Sequence, residues 1–271
     1  MNEKTVRQNL WVLGLGLAAG LLGAGCWAGA ASAREEFKEE VHESYRLAAD
    51  GRLSLANVNG SIRLSVWDRS EVKLDAVKRA SREKDLPGIK IQVESKPDHL
   101  VIRTKLPETR RWWGWRRSTS VDYTLTVPAS VRLEDISAVN GLVEIDGARG
   151  PAKVSTVNGA LSAKGLAGNA SLSSVNGVVR AAFVSLAQVK SVSASTVNGA
   201  VELDLPAGAN ADLSASTVNG GISGDVPVKK NWPVGAEVKT RLGEGGAQIH
   251  LSTVNGGVRI RVQKPEAERA P

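Results

Sequence analysis

Aromatic residues are scarce, at 4% of 271 residues, and only two are Phe and two Tyr. Ordinary cores draw much of their buried area from such rings. Their scarcity excludes a core of that kind and leaves Val, Leu, Ile and Ala as filling, which suits thin, layered β-structure. Cysteine occurs once, at Cys26, inside the N-terminal apolar stretch. A chain without that stretch holds no thiol, so neither disulfides nor thiol chemistry can serve it, and stability rests on packing and backbone pairing. The three histidines, His42, His99 and His250, stand alone without metal-ligand spacing. No phosphate-binding glycine loop, nucleophile elbow or calcium nonapeptide is present. No cofactor and no catalytic or metal residue is therefore expected.

The N-terminus does carry a signal. Lys4 and Arg7 precede an uncharged run from Leu10 to Ala33 that ends Ala31-Ser32-Ala33. A basic start, an apolar stretch and a small-x-small site describe a secretory signal peptide over 1–33. The expected location is periplasmic, cell-surface or extracellular. An uncleaved N-terminal membrane anchor and a lipoprotein attached at Cys26 stay open as alternatives.

What the chain has in abundance is one tripeptide. Val-Asn-Gly occurs seven times, with Val at 58, 139, 157, 175, 197, 218 and 254. The corners are Asn59-Gly60, Asn140-Gly141, Asn158-Gly159, Asn176-Gly177, Asn198-Gly199, Asn219-Gly220 and Asn255-Gly256. Successive valines are 81, 18, 18, 22, 21 and 36 residues apart, mostly near the period of a stacked repeat. Each unit reads strand, Asn-Gly, strand, then a Gly- or Pro-bearing connection such as "GLAGN" or "LPAGAN". Counting from Asn, positions −2, +3 and +5 are small or apolar and share one face, whereas position +4 is polar and of mixed charge.

The pattern predicts an all-β fold, a single-stranded β-solenoid of roughly 20-residue coils. The alternative is an antiparallel hairpin meander with Asn-Gly in type I′ turns. Identical corners favour stacking, because coils about 4.8 Å apart let like residues pack on their copies and asparagine amides form a ladder. The expected organisation is N-terminal β coils with long arms over 34–135, a regular solenoid over 136–262 and a disordered tail over 263–271. Behind such an N-terminus, the reiterated "TVNG" and "SVNG" corners resemble the bacterial putative-adhesin family, whose fold is a toast-rack-like β-solenoid. The resemblance spans Val41 to Val262 and is strongest from Val139 onward. It implies an envelope-associated protein and brings no catalytic residue to this chain.

Two surfaces are candidates for binding. The first is "TRRWWGWRRST", where Arg110, Arg111, Arg116 and Arg117 flank Trp112, Trp113 and Trp115. It lies between two alternating segments and is expected to form a protruding hairpin tip. Indole favours surfaces wet on one side, and guanidinium binds phosphate or carboxylate in pairs of bonds. Together they suit an envelope polyanion or membrane surface: anionic lipid, lipopolysaccharide or acidic glycan. Capping of the solenoid end is the competing role. Residues 62–117 hold fifteen Lys and Arg against eight Asp and Glu, an excess equal to the net +7 of the whole chain. Nucleic acid is not the expected partner, since an exported protein seldom meets it. The second surface is an outward stripe at position −1, Val139, Val157, Val175, Val197, Val218 and Val254, open to a protein partner.

These features point to a non-enzymatic, adhesin-like or scaffold protein of the envelope. The alternative is an accessory or sensory protein-binding module in envelope-stress signalling. A polysaccharide-active enzyme comes third. Its best carboxylates, Glu144/Asp146 and Glu202/Asp204, fall about three coils or 14 Å apart, beyond the roughly 10 Å of paired glycosidase carboxylates.

Overall fold

The computed structural model describes residues 36–106, 118–226 and 235–263. The chain opens with β1 (Phe37–Arg46). Its first coil is β2 (Arg52–Asn59) followed by β3 (Ile62–Trp67). A detour then runs through β4 (Glu71–Ala80), a 3-10 turn (Glu83–Gly88) and β5 (Lys90–Ser95). The second coil pairs β6 (His99–Lys105) with β7 (Thr119–Pro128). Four regular coils follow: β8 (Arg132–Asn140) with β9 (Val143–Asp146), and β10 (Ala152–Asn158) with β11 (Leu161–Leu166); then β12 (Ala170–Asn176) with β13 (Val179–Phe183), and β14 (Ser191–Asn198) with β15 (Val201–Leu205). β16 (Ala211–Asn219) leads into the short β17 (Ile222–Gly224). After β18 (Ala236–Leu242) comes the last coil, β19 (Ala247–Asn255) with β20 (Val258–Val262).

Every coil places its first arm in one ten-stranded sheet and its second arm in another. The first-arm sheet runs β18-β16-β19-β14-β12-β10-β8-β2-β6-β5, and the second-arm sheet runs β1-β4-β7-β3-β9-β11-β13-β15-β20-β17. Coil-to-coil pairing is parallel and in register, with Asn158 level with both Asn140 and Asn176. This is a β-solenoid. The meander is excluded, because successive arms lie in different sheets and all seven corners share one edge.

Stacking order is not chain order. The first coil lies between the second (β6/β7) and the third (β8/β9), and the last coil slots between β14/β15 and β16/β17. Among the described residues the long 81-residue interval holds one further coil, β6/β7, and two antiparallel strands, β4 and β5. Antiparallel strands close one end of the stack, β1 and β4 in the second-arm sheet and β5 in the first-arm sheet; at the other end β18 covers the first-arm sheet, and the second-arm sheet ends on the parallel β17. A reversed strand breaks the parallel repeat, and the exposed charges of β1 (Lys38, Glu40, Arg46) further discourage pairing by another chain.

The core lies between the sheets. Position +3 (Ile62, Val143, Leu161, Val179, Val201, Ile222, Val258) is buried in every Asn-Gly coil, as the parity requires. One apolar cluster runs from Leu47 to Ile260 without a break near residue 135, so the change there is one of regularity within a shared core. Among the described residues the largest fully buried side chain is Tyr123, level with Ile62 on the neighbouring coil. Its hydroxyl lies 2.7 Å from that of Thr104 on the facing arm. Burial pushes the phenol up to about 12.

Why glycine follows asparagine is answered by the stacking. A Cβ on Gly141 would sit 2.0 Å from the carbonyl oxygen of Gly60, and one on Gly177 would sit 2.0 Å from that of Gly159. Neither residue needs a left-handed backbone. The demand comes from the coil next door. At Gly221, by contrast, an added Cβ meets nothing within 4 Å.

Gly177→Ala is therefore expected to lower stability by about 2 kcal/mol, as forced overpacking does. Gly221→Ala should leave the denaturant midpoint nearly unchanged. Equal midpoints for the two variants would remove close approach as the reason for the repeat.

Candidate binding surfaces

Each corner is tied to its neighbour in three ways. The N–H groups of Gly60, Gly141, Gly159, Gly177, Gly199 and Gly256 donate to the Asn carbonyl of the next coil at 2.9–3.1 Å. The asparagine amides form an unbroken ladder at 2.8–2.9 Å: Asn219 to Asn255 to Asn198 to Asn176 to Asn158 to Asn140 to Asn59. It ends on the Thr119 carbonyl, 3.1 Å from Asn59 Nδ2. Thirdly, the hydroxyls of Thr156, Ser174, Thr196, Thr217 and Thr253 donate to the glycine carbonyl of the adjacent coil at 2.9–3.5 Å. Ala138 has no hydroxyl for this role, and there Asn57 Nδ2 donates to the Gly60 carbonyl instead, at 3.2 Å.

Because the corners align, so do their neighbours in sequence. The valines at position −1 are 36–50% exposed, and Val58 extends the expected stripe to seven members. On the same outward face, position −3 places Ser137, Ser155, Ser173, Ser195, Ser252 and Ser216 in one continuous column. Those serines are visible in the recurring "STVNG" but carry no message until the face they occupy is known. Valine, serine and asparagine columns thus lie side by side, small and uncharged.

The opposite face, at position +4, is ionic. Arg63 Nε donates to Glu144 at 3.0 Å, and Arg180 Nε to Glu202 at 3.2 Å. Glu144 and Glu202 lie three coils apart with Ser162 and Arg180 between them. Each of these two carboxylates faces an arginine.

The segment Arg110–Arg117, with Trp112, Trp113 and Trp115, lies outside the described residues. Its anchors are described. β6 and β7 do not pair with each other: β6 lies between β2 and β5, and β7 between β3 and β4. The two flanking strands are therefore not the paired arms of a hairpin; they lie in different sheets. At the C-terminal end of β6, Lys105 faces Lys90 on the adjacent β5, both exposed. Like charges opposed across strands cost stability.

Much of the surrounding positive charge is neutralised. Arg69 meets Glu71, Lys73 meets Asp75, Lys78 meets Glu39, Arg103 meets Glu94, and Arg79 meets both Glu36 and Asp122. Glu36, Glu39, Asp122 and Glu144 come from outside residues 62–117, so a local tally of charge overstates the field. Asp122 is held below the usual carboxylate range: burial opposes this, but bonds from Ser61 and Arg79 outweigh it. Trp67 is locally engaged, its Nε1 donating to the Glu71 carbonyl at 2.8 Å and its ring lying 4.9 Å from the Arg69 guanidinium. Among the described residues, no three His, Cys, Asp or Glu groups assemble as a metal site, and no helix is long and apolar enough to cross a membrane.

No family model matches the sequence, and no curated protein matches it either. Solved structures do. A putative cell adhesion protein from Clostridium sporogenes superposes with a TM-score of 0.52 at 13% identity, over 84% of this chain and 100% of that one. A putative adhesin from Bacteroides fragilis aligns at 12% identity over 83% of this chain and 97% of its own, with a TM-score of 0.34. A putative adhesin from Parabacteroides merdae aligns at 10% identity with a TM-score of 0.29, covering 84% and 97%. The first of these likenesses establishes a shared fold.

At the closed end, His42 Nδ1 on β1 lies 2.6 Å from Asp75 on β4. Its pKa is raised, first by that hydrogen bond and further by Glu40, above the ordinary 6.5. A raised histidine stabilises fully below its unfolded value, and the contribution is lost as pH rises through the folded value. Replacing His42 by Asn should therefore lower Tm more at about pH 6 than at about pH 8, by the equivalent of under about 1 kcal/mol for so exposed a pair. Thermal melts at the two pH values check this, and a larger loss at the higher pH contradicts it.

Proposed function

We propose that the protein is a non-enzymatic, exported, adhesin-like scaffold of the cell envelope, of the putative-adhesin family, that binds polyanions through its Trp- and Arg-rich segment. What supports the reading is the composition of that segment, in which Arg110, Arg111, Arg116 and Arg117 flank Trp112, Trp113 and Trp115. The strands on either side of it, β6 and β7, are each paired on both sides within a ten-stranded sheet. The opposed Lys90 and Lys105 on β5 and β6 support an anionic ligand, which relieves their repulsion. Anionic lipid, lipopolysaccharide and acidic glycan share that chemistry. Export rests on the N-terminal pattern over 1–33, and mass spectrometry of the mature N-terminus distinguishes cleavage after Ala33 from an anchor or a lipid on Cys26. Changing Trp112, Trp113 and Trp115 together to Ala should weaken binding to anionic vesicles at least about ten-fold, a loss of about 1.4 kcal/mol, with Tm unchanged. Unchanged vesicle and lipopolysaccharide binding excludes the anchor. A Tm lower by many degrees assigns the segment to capping.

A second reading, an accessory module docking another envelope protein, is supported by the exposed seven-valine column. Changing Val157, Val175 and Val197 to the similarly shaped Thr removes apolar surface while keeping β-branching. Photocrosslinks from this column to an envelope protein should then diminish. An absence of crosslinks in the parent protein rejects the docking.

A further inference from the structure

The chain holds the same Val-Asn-Gly tripeptide seven times, so the intrinsic chemistry of each is alike and any difference between them is structural. Asn-Gly is prone to self-modification because glycine, lacking Cβ, lets its nitrogen approach the asparagine side chain. That nitrogen, after losing its proton, attacks Cγ. A new C–N bond closes a five-membered succinimide, the Cγ–Nδ2 bond breaks, and ammonia leaves with the proton. Water then opens the ring to aspartate or isoaspartate.

Six corners are guarded on both counts. The attacking glycine N–H is already donating to the next coil. The Oδ1 of Asn59, Asn140, Asn158, Asn176, Asn198 and Asn255 accepts a neighbour's amide, which restrains rotation toward the backbone. Both restraints arise from the coil on one side. Asn219 ends the column and lacks that coil: among the described residues, nothing donates to its Oδ1 and Gly220 N–H has no acceptor. Only its own donation to Asn255 and the carbonyl that accepts from Gly256 hold it.

We infer that Asn219 is a deamidation site of the folded protein, with the other six corners protected by stacking. Conversion removes the amide donor to Asn255 and adds a carboxylate to an otherwise neutral column, so the terminal coil acquires a chemical mark of age.

The test is peptide mapping by mass spectrometry of the folded full chain during incubation in mildly alkaline buffer, beside a sample in denaturant. In denaturant the seven sites should convert at similar rates. In the folded chain Asn219 should convert at least about ten-fold faster than Asn158 and Asn176, the factor that about 1.4 kcal/mol of protection sets. A folded-state rate at Asn219 no greater than at the interior sites overturns the inference. Asn219→Gln should abolish the early acidic form and leave the other six sites slow. Persistence of that early form in the variant overturns it as well.

Discussion

The close approach of one glycine corner to the next is the constraint from which the rest of the molecule follows. A carbonyl occupies the place where a Cβ would stand, so the backbones come near enough for the amide ladder and the threonine hydroxyls to close the gap. Each bond adds only about 1 kcal/mol net, but the same three recur at nearly every step. The corner sets the register of both arms, because an arm displaced by one residue would turn its whole apolar face outward. Thin filling by Val, Leu, Ile and Ala is then sufficient, since the sheets are held at a fixed spacing by their shared corners.

The same alignment makes surfaces one-dimensional. Any residue type recurring at one position becomes a column, which is why one outward face is neutral, with valine, serine and asparagine in ranks. The other face is ionic, with arginine and glutamate alternating where coils happen to oppose them. A solenoid of this kind offers long uniform strips. Diversity is confined to interruptions of the repeat. In the sequence the Trp- and Arg-rich segment is the conspicuous interruption, aromatic and cationic where the repeat is small and neutral.

Much of the fold was legible in the letters. The recurrence of Asn-Gly, and the phase shift that keeps positions −2 and +3 on one side, predicted two sheets around a narrow core. Asparagine stacking followed directly, and the structure added Val58 to the expected valine stripe. Less could be read where the chain doubles back. Nothing in Asn255 announces that it lies between Asn198 and Asn219, and nothing in Asn59 that Asn140 is its neighbour. Equivalent corners are interchangeable in pairing energy, so order along the stack depends on connections whose sequences are irregular. The hairpin tip expected around Trp112–Trp115 falls outside the described residues, but the two strands expected to form its arms do not pair. "HLVIRTKL" and "SVDYTLTV" alternate as hairpin arms do, but each finds its partners in a different sheet.

The positive excess over 62–117 was a true count and a misleading map, because Glu36, Glu39, Asp122 and Glu144 reach that region only through folding. The sequence by itself determined the repeat, the side-chain parity and hence the all-β class, since these are local consequences of period and sterics. Only the tertiary structure decided the order of coils, the cancellation of charge and which corner ends the asparagine column. Those depend on contacts between residues distant in the chain, to which a periodic pattern is blind.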